Sequence, residues 1–308
     1  MHPIRNVLVC GAGAVGSSYL ERLHDHDPSL VRVLASGERR ARLDRERVTV
    51  NGRLLPVRTV GPGDGGPPAD VILVAVKQHH LAAAIEDMRP VVGADTVLLS
   101  LLNGITSEDV LAAAFGPERI LHGFVVGNDV LREGSASRYT RIGRLVFGAA
   151  GGTSDDERVV RLKALLDSAD IPNTVPADII REQWWKFMLN VGVNQVSAVL
   201  RAPMGAFSTV PEVRELTRAA SLEVVAVAQA EGIALAPTDV EAIFPIIATL
   251  APYAKSSMLQ DVEAGRKTEV EIFAGEICAR GRRHGIATPV NDVLGTILRG
   301  TERLTGVG

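Results

Sequence analysis

The chain has few cysteines, no excess of basic charge and no long apolar run. Its 308 residues include two cysteines, Cys10 and Cys278, and their spacing is not typical of a disulfide framework or a metal cluster. We therefore expect a cytoplasmic protein without a bound metal. The formal net charge is −3, which does not indicate a nucleic-acid partner. The longest apolar runs, such as residues 71–76, are too short for a membrane span, and no signal peptide is expected.

A glycine-rich segment near residue 11 indicates a dinucleotide-binding fold. A short apolar run over residues 7–10 predicts a buried strand, and the pattern GxGxxG follows it directly, before a helical pattern over about residues 17–24. In such a turn Gly11 permits the tight bend, Gly13 lets a pyrophosphate approach the backbone, and Gly16 lets the helix pack on the strand. The alternative is an incidental glycine turn. The residues predicted to bind the cofactor here are Gly11, Ala12, Gly13, Ala14, Val15 and Gly16.

The residues after the second predicted strand bear on the choice of cofactor. An acidic residue at the end of this strand would bind the ribose hydroxyls of NAD, but the strand predicted over residues 31–35 is followed by Ser36. A serine can donate to a phosphate, and Arg39 and Arg40, which follow, are suited to the 2′-phosphate of NADP. We therefore predict NADP(H), bound in part by Ser36 and Arg39. Glu38 leaves NAD open, and the arginines could instead lie at an exposed helix start.

Two further predicted strands end in polar residues. The strand over residues 71–76 ends at Lys77, and the strand over residues 96–102 ends at Asn103. Ligands of open parallel sheets bind beyond the carboxyl ends of the strands, so we predict that Lys77 and Asn103 face the cofactor. His79 and His80 have no partner at metal-ligand spacing and are expected at the surface.

The composition changes near residues 172–177, where strand signals fade. We predict an α/β protein with a Rossmann dinucleotide-binding domain over residues 1–174 and an all-helical substrate and catalytic domain over residues 175–308. The last helix of the first domain is predicted to start over residues 153–157, with a capping hydroxyl followed by acidic residues that favour the positive end of the helix dipole. The helices predicted after the boundary are one capped by Asp178, one over 213–231, one capped by Thr238, a segment over 256–285 with a break near Gly265, and one after Pro289.

One helix of the second domain carries a lysine and two asparagines in an otherwise apolar pattern. Lys186, Asn190 and Asn194 are spaced i, i+4, i+8, so they fall within roughly 80° of one another on a helix. A buried ammonium is costly unless partners satisfy it, and the aligned amides form a polar stripe suited to the oxygens of a small ligand. The alternative is a lysine that extends past two tryptophans to water.

Three polar residues stand out in the segment over residues 256–285. Ser257 and Asp261 are spaced i, i+4 and can face one way, and Glu269 follows the predicted break. The alternative is a solvated helix face.

The chain resembles the ketopantoate reductases (2-dehydropantoate 2-reductases) along nearly its whole length. The resemblance rests on the glycine turn, on Val74-Ala75-Val76-Lys77, on Asn103-Gly104, on Trp185-Lys186-Phe187-Met188-Leu189-Asn190 with Asn194, and on Ser256-Ser257-Met258-Leu259-Gln260-Asp261 with Thr268-Glu269. It implies NADPH-dependent reduction of 2-dehydropantoate to pantoate, in the pathway to pantothenate and coenzyme A. It also implies that Lys186 is the general acid.

The resemblance implies roles for the other site residues as well. Asn190 and Asn194 would hold the oxygens of the substrate, and Ser257 would help to hold its carboxylate. Glu269 would bind both the hydroxyl end of the substrate and Lys186. Lys77 and Asn103 are similar to family positions at the junction of cofactor and substrate, so Asn103 is predicted to contact both.

The sequence departs from the family pattern at three positions. Ser36 stands where an arginine is common, Ala274 where an asparagine is common, and Tyr139 where a histidine is common. Two alternatives therefore stay open: a reductase of a different 2-keto acid, and a non-catalytic NADP(H)-binding regulatory protein. The retained Lys186 and Glu269 argue against the second. The predicted partners are a small 2-keto acid and a second copy of the chain, bound through the helical domain.

Overall fold

The computed structural model describes residues 2–134 and 136–307. The chain forms two compact units, Met1–Ile179 and Ile180–Gly308. The first combines a parallel sheet with helices, and the second is helical. The fold class predicted from the sequence is therefore confirmed. The domain boundary predicted between residues 174 and 175 stays a prediction.

The first unit is built around an eight-stranded sheet. All neighbouring strands are parallel except Ile120–Val126 and Arg144–Gly148, which are antiparallel to each other. The six strands from Arg58–Val60 to Ile120–Val126 follow the order of the dinucleotide-binding fold. Across the sheet, the strands are β12 (Asn173–Thr174), β11 (Arg144–Gly148), β8 (Ile120–Val126), β7 (Val97–Ser100), β6 (Val71–Val74), β1 (Val7–Cys10), β2 (Val31–Leu34) and β5 (Arg58–Val60).

This sheet is apolar on both faces because its central strands are continuous apolar runs. Alternate residues of one strand enter different cores: Val7 and Val9 pack into one cluster, and Leu8 and Cys10 pack into the other. Helices cover the two faces. They are α1 (Ala14–His26), α2 (Gly37–Glu46), α3 (Leu81–Met88), α4 (Ser107–Phe115) and α5 (Glu157–Ser168), with short 3-10 turns at Gln78–His80, Arg89–Val91 and Pro117–Arg119.

One helix start in this unit differs from the prediction. The cap of α5 is Asp156, whose Oδ1 accepts a hydrogen bond of 2.9 Å from the backbone N–H of Arg158. The prediction that a hydroxyl caps this helix was therefore wrong, whereas the predicted acidic residue in its first turn, Glu157, is confirmed. A carboxylate next to the first turn satisfies an unpaired N–H and also favours the positive end of the helix dipole.

A second, four-stranded sheet packs on α1. Its strands are, in spatial order, β4 (Arg53–Leu55), β3 (Val48–Val50), β10 (Ala136–Arg138) and β9 (Leu131–Glu133). Asn51 and Gly52 connect β3 to β4 with φ values of 50° and 79°, as the predicted hairpin turn requires. The hydroxyl of Ser17 in α1 donates to the hydroxyl of Ser137 at 2.8 Å. This bond joins residues that are far apart in sequence.

The second unit contains α6 (Ile179–Leu200), α7 (Ala206–Thr209), α8 (Pro211–Ala230), α9 (Pro237–Glu241), α10 (Ile243–Ala248), α11 (Ser257–Glu263), a π-helical turn at Glu271–Gly275, α12 (Glu276–His284) and α13 (Pro289–Leu304). Gly265 follows α11 with a φ of 59°, so the predicted break is confirmed. Thr238 lies inside α9, whose cap is Ala236, so its prediction as a cap was wrong. Instead, the Asp239 carboxylate accepts from the Ala236 N–H at 2.8 Å. No helix formed by residues 2–134 and 136–307 is long and apolar enough to cross a membrane.

Candidate active site

The glycine turn between β1 and α1 is shaped by close backbone contacts. Gly11 has a φ of 109°, and a Cβ there would lie 2.7 Å from the carbonyl carbon of Ala75. A Cβ on Gly16 would lie 1.9 Å from the carbonyl oxygen of Gly11. A side chain is therefore excluded at both positions. Above Gly13 there is more room, because the nearest atom to its Cβ position is 3.6 Å away. Since α1 begins at Ala14, its free N–H groups are suited to a phosphate at this turn.

Arg132, in β9, contacts this turn and was not singled out from the sequence. Its Nη1 donates to the carbonyl oxygen of Ala12 at 2.6 Å, and its Nε donates to the carbonyl oxygen of Gly134 at 2.8 Å. Burial lowers the pKa of this half-buried guanidinium, and the charge of Arg42 lowers it further. A cation therefore lies beside the glycine turn. No local pattern in the sequence could have indicated it, because the contact depends on the second sheet.

The two arginines at the start of α2 have different surroundings. Arg40 forms a paired hydrogen bond with Asp64, at 2.7 and 2.8 Å, and so is held by the loop before β6. Arg39 carries a buried Nη1 atom that has no hydrogen-bond partner in the described part of the chain. Ser36 precedes α2, and its side chain makes no capping hydrogen bond to the helix. Ser36 and Arg39 are therefore the residues here that could bind a ligand phosphate.

A basic group of side chains lies at the carboxyl ends of β1, β2 and β6. Burial raises the pKa of the Cys10 thiol to about 12, and the charge of Arg39 opposes that effect. The pKa of His80 is lowered by burial and then by the charges of Arg39 and Lys77. The charges of Arg39 and Lys77 thus both act on His80. Among the described residues, no cluster of histidine, cysteine and acidic side chains could hold a metal ion.

Lys77 and Asn103 lie at the same edge of the sheet. Lys77 follows β6 and is exposed, and Asn103 follows β7 and is half-buried. β6 and β7 are parallel neighbours, so their carboxyl ends meet at the edge where Gly11 contacts Ala75. The structure therefore brings the predicted cofactor residues of the first unit together: the glycine turn, Ser36, Arg39, Lys77 and Asn103.

Lys186, Asn190 and Asn194 lie on α6, as the spacing predicts. Lys186 is half-buried, and the side chains of Asn190 and Asn194 are 3% and 8% exposed. Burial lowers the pKa of Lys186 to about 8, and the charge of Glu269 opposes that effect. Neither amide hydrogen-bonds another protein group in the described part of the chain. Buried amides without protein partners are costly, and a polar ligand would satisfy them.

The three polar residues of the 256–285 segment are not equivalent. Ser257 is exposed as the first residue of α11, and Glu269 is half-buried near Lys186. Asp261 is buried and accepts a hydrogen bond of 2.8 Å from Nε of Arg266, which closes the turn at Gly265. Asp261 therefore stabilises the end of α11, whereas Ser257 and Glu269 are accessible for binding.

Two of the positions that depart from the family pattern, Tyr139 and Ala274, carry side chains with structural contacts. The hydroxyl of Tyr139 donates to the Glu21 carboxylate at 2.5 Å, and burial, followed by Glu21, raises its pKa to about 12. Ala274 is fully buried, and a Cβ added to Gly295 would lie 2.7 Å from its Cβ. Tyr139 thus fastens the second sheet to α1, and Ala274 allows α13 to approach the π-helical turn.

Two family models match this chain. The one described as Ketopantoate reductase PanE/ApbA matches residues 7–152, and the one described as Ketopantoate reductase PanE/ApbA C terminal matches residues 178–302. A 2-dehydropantoate 2-reductase of Halobacterium salinarum is 32% identical over 236 residues, which cover 76% of this chain and 77% of that protein.

Solved structures are similar over almost the whole length. The crystal structure of 2-dehydropantoate 2-reductase from Geobacter metallireducens has a TM-score of 0.83 at 28% identity and covers 96% of this chain and 99% of its own. D-mandelate dehydrogenase with NADH and anilino(oxo)acetate has a TM-score of 0.88 at 22% identity, covering 98% and 100%, which shows a shared fold. Because the family models span most of both units, the chain belongs to the ketopantoate reductase family of oxidoreductases.

Proposed function

We propose that this protein reduces ketopantoate to pantoate with NADPH, in the pathway to pantothenate and coenzyme A, and that Lys186 is the general acid. The observation that supports this most directly is the polar stripe on α6. It combines an ammonium whose pKa is about 8 with two buried amides, Asn190 and Asn194, that lack protein partners. The assignment of the substrate is supported by relatives named 2-dehydropantoate 2-reductase.

The residues of the first unit fit a nicotinamide dinucleotide. NADPH, when bound, supplies the hydride. The open space over Gly13 and the N-terminus of α1 suit its pyrophosphate. Ser36 and the unpartnered Nη1 of Arg39 suit a 2′-phosphate, in place of the arginine common in the family. Lys77 and Asn103 lie at the same sheet edge and would contact the junction of cofactor and substrate.

Lys186 can act as the proton donor at neutral pH. Burial lowers its pKa towards the working pH, where a general acid is most effective, and Glu269 keeps the pKa high enough for the amine to remain charged. As the carbonyl carbon is reduced, negative charge develops on its oxygen. An ammonium directed at that oxygen stabilises the charge and then donates its proton.

The other polar residues of the second unit would hold the substrate. The amides of Asn190 and Asn194 can donate to its oxygens, and the exposed hydroxyl of Ser257 can donate to its carboxylate. Glu269 can accept a hydrogen bond from a substrate hydroxyl while it interacts with Lys186. Fixed donors of this kind orient the keto group and favour one stereochemical outcome.

A second candidate is the reduction of a different 2-keto acid. Two observations favour it: Ala274 is buried and offers no amide, and the fold is shared with D-mandelate dehydrogenase. A third candidate is a protein that binds NADP(H) without turnover. The test is the decay of NADPH fluorescence with ketopantoate, an aromatic 2-keto acid and an aliphatic 2-keto acid. Decay with ketopantoate supports the proposal, decay only with other acids supports the second candidate, and binding without decay supports the third.

Lys186→Met tests the role of the ammonium with a side chain of similar length. We expect turnover to fall by roughly 10²-fold to 10⁴-fold while NADPH still binds. Lys267→Met, which removes an exposed lysine of the same unit, is the matched control. If Lys186→Met and its control turn over at similar rates, Lys186 is not the acid.

We also propose a cytoplasmic protein that forms a homodimer through its helical unit. One face of α13 carries exposed apolar side chains, with Val293, Ile297 and Leu304 exposed by 58%, 44% and 91%. Light scattering of the intact protein and of Ile297→Glu tests this. A monomer in both cases contradicts the dimer.

A further inference from the structure

Glu302, near the end of α13, is a buried carboxylate that accepts hydrogen bonds from Thr268. It is 8% exposed, and its Oε1 accepts a hydrogen bond of 2.7 Å from the backbone N–H of Thr268 and one of 2.5 Å from the Thr268 hydroxyl. In the described part of the chain, no lysine or arginine pairs with it. Burying a carboxylate is unfavourable, and these charge-assisted hydrogen bonds offset the cost. The contact therefore fixes Thr268 strongly.

This contact belongs to a longer line of contacts along one face of α13. Gly295 approaches Ala274 so closely that a Cβ on Gly295 would lie 2.7 Å from the Cβ of Ala274. One turn further on, Nη1 of Arg299 lies 3.5 Å from the Glu271 carboxylate, and Glu302 follows with its bonds to Thr268. These positions of α13 are spaced i, i+4, i+7 and share a face. The segment from residue 268 to residue 275 is thus held along the helix.

Glu269 lies between two fixed residues of this segment. On one side, the Thr268 hydroxyl also accepts from the Val270 N–H at 3.3 Å. On the other side, Val270 is buried, and the carbonyl oxygen of Glu269 accepts from the N–H groups of Ile272 and Phe273 at 3.1 and 3.2 Å. The π-helical turn at 271–275 follows directly, and such turns are frequent at functional sites. The backbone of Glu269 therefore has little freedom.

We propose that Glu302 is a positioning residue, which fixes Glu269 through Thr268 and thereby holds the carboxylate of Glu269 at the distance from Lys186 that catalysis requires. This inference rests on the function proposed above, in which Lys186 is the acid. Glu302 itself contacts neither substrate nor cofactor in this scheme. Its effect on the reaction passes through the backbone at residues 268 and 269.

The test compares Glu302→Ala with Glu302→Gln, which keeps an oxygen that can accept both bonds from Thr268. We expect Glu302→Ala to lower kcat roughly 10-fold to 100-fold, as a misplaced catalytic group does, with the dissociation constant of NADPH unchanged. Glu302→Gln should restore most of the activity. Thr268→Val removes the hydroxyl, with its bonds to Glu302 and to the Val270 N–H, but keeps the backbone N–H bond to Glu302, and it should lower kcat less. Arg303→Gln, an exposed change on the same helix, is the matched control.

The pH profile separates positioning from simple destabilisation. The charge of Glu269 raises the pKa of Lys186, so displacement of Glu269 should move the alkaline limb of the kcat/KM profile to lower pH in Glu302→Ala. If Glu302→Ala changes neither kcat nor the alkaline limb of the kcat/KM profile, the proposal is overturned. It is also overturned if Glu302→Gln lowers kcat as much as Glu302→Ala does. If Glu302→Ala does not fold, an unchanged profile in Thr268→Val overturns it. Lys186→Met is measured in parallel. If Lys186→Met keeps normal turnover, the proposed function itself fails. If Lys186→Met loses turnover, a negative result for the Glu302 variants contradicts only this inference.

Discussion

Arg132 and Ala12 are joined by a hydrogen bond of 2.6 Å, from Nη1 of the guanidinium to the backbone carbonyl oxygen in the glycine turn. The second sheet, which carries Arg132, thus supports the turn that we expect to bind the cofactor. The same contact holds a positive charge 3.6 Å from the Cβ position of Gly13. Both effects favour the binding of a phosphate.

Arg132→Met should therefore weaken cofactor binding. A guanidinium beside a bound phosphate contributes about 2 kcal/mol of binding free energy, so we expect the dissociation constant of NADPH to rise by roughly 10-fold or more in a fluorescence titration. Arg138→Met is the matched control, because Arg138 is exposed in the neighbouring strand β10. Equal dissociation constants in the two variants would show that Arg132 does not contribute.

The activity should fall as the pH rises through the pKa of Lys186. The acid must carry its proton, so the form that is active predominates below a pKa of about 8 and is lost above it. Glu269→Gln removes the charge that raises this pKa, and the loss of activity should then occur at lower pH. The measurement is kcat/KM over the neutral to alkaline range. A limb that moves to higher pH in Glu269→Gln contradicts the assignment.

Cofactor preference should depend on Ser36 and Arg39 and not on Arg40. Ser36→Asp repels a 2′-phosphate, and Arg39→Met removes a donor that lacks a protein partner, so both should shift the ratio of kcat/KM for NADPH and NADH towards NADH by roughly 10-fold. Arg40 is paired with Asp64, so Arg40→Met should leave the ratio unchanged. If Arg40→Met shifts the ratio and Arg39→Met does not, the roles of the two arginines are reversed.

The glycines of the turn should differ in their tolerance of alanine. Gly16→Ala places a Cβ 1.9 Å from the carbonyl oxygen of Gly11, and we expect the free energy of unfolding to drop by about 3 kcal/mol. Gly13→Ala meets no atom closer than 3.6 Å, so its stability should stay within about 0.5 kcal/mol of the parent. Its affinity for NADPH should nevertheless fall, because the added methyl group occupies the space for the pyrophosphate. Denaturant titrations and fluorescence binding separate the two effects.

The sequence predicted the features that depend on local periodicity. The stripe from Lys186 to Asn194 and the strand before Lys77 follow from spacing alone, since side-chain direction is fixed within one helix or strand. The hydroxyl cap predicted for α5 and the cap predicted at Thr238 were wrong, because an aspartate close in sequence provides the acceptor in each case. The choice among several polar residues near a helix start depends on the path of the loop, which composition does not determine.

Contacts between distant segments could not be predicted from one sequence. Glu302 is 34 residues from Thr268, and Arg132 is 120 residues from Ala12. Each is an ordinary polar residue in its own helix or strand, with no local signal of a function. Their importance arises only when the fold brings the segments together. The same applies to Tyr139, whose phenol contacts Glu21 across a similar separation.

The second sheet ties the glycine turn to segments that are otherwise remote in the chain. Arg132, Ser137 and Tyr139 all hydrogen-bond to α1 or to the turn before it. The binding of a dinucleotide at the turn is therefore coupled to the stability of the second sheet, which consists of the pairs β3–β4 and β9–β10. Occupancy should then slow hydrogen–deuterium exchange in β9 and β10, although these strands lie outside the nucleotide fold itself. Substitutions in the second sheet are thus a route by which evolution can change the affinity for the coenzyme without changing Gly11, Gly13 or Gly16.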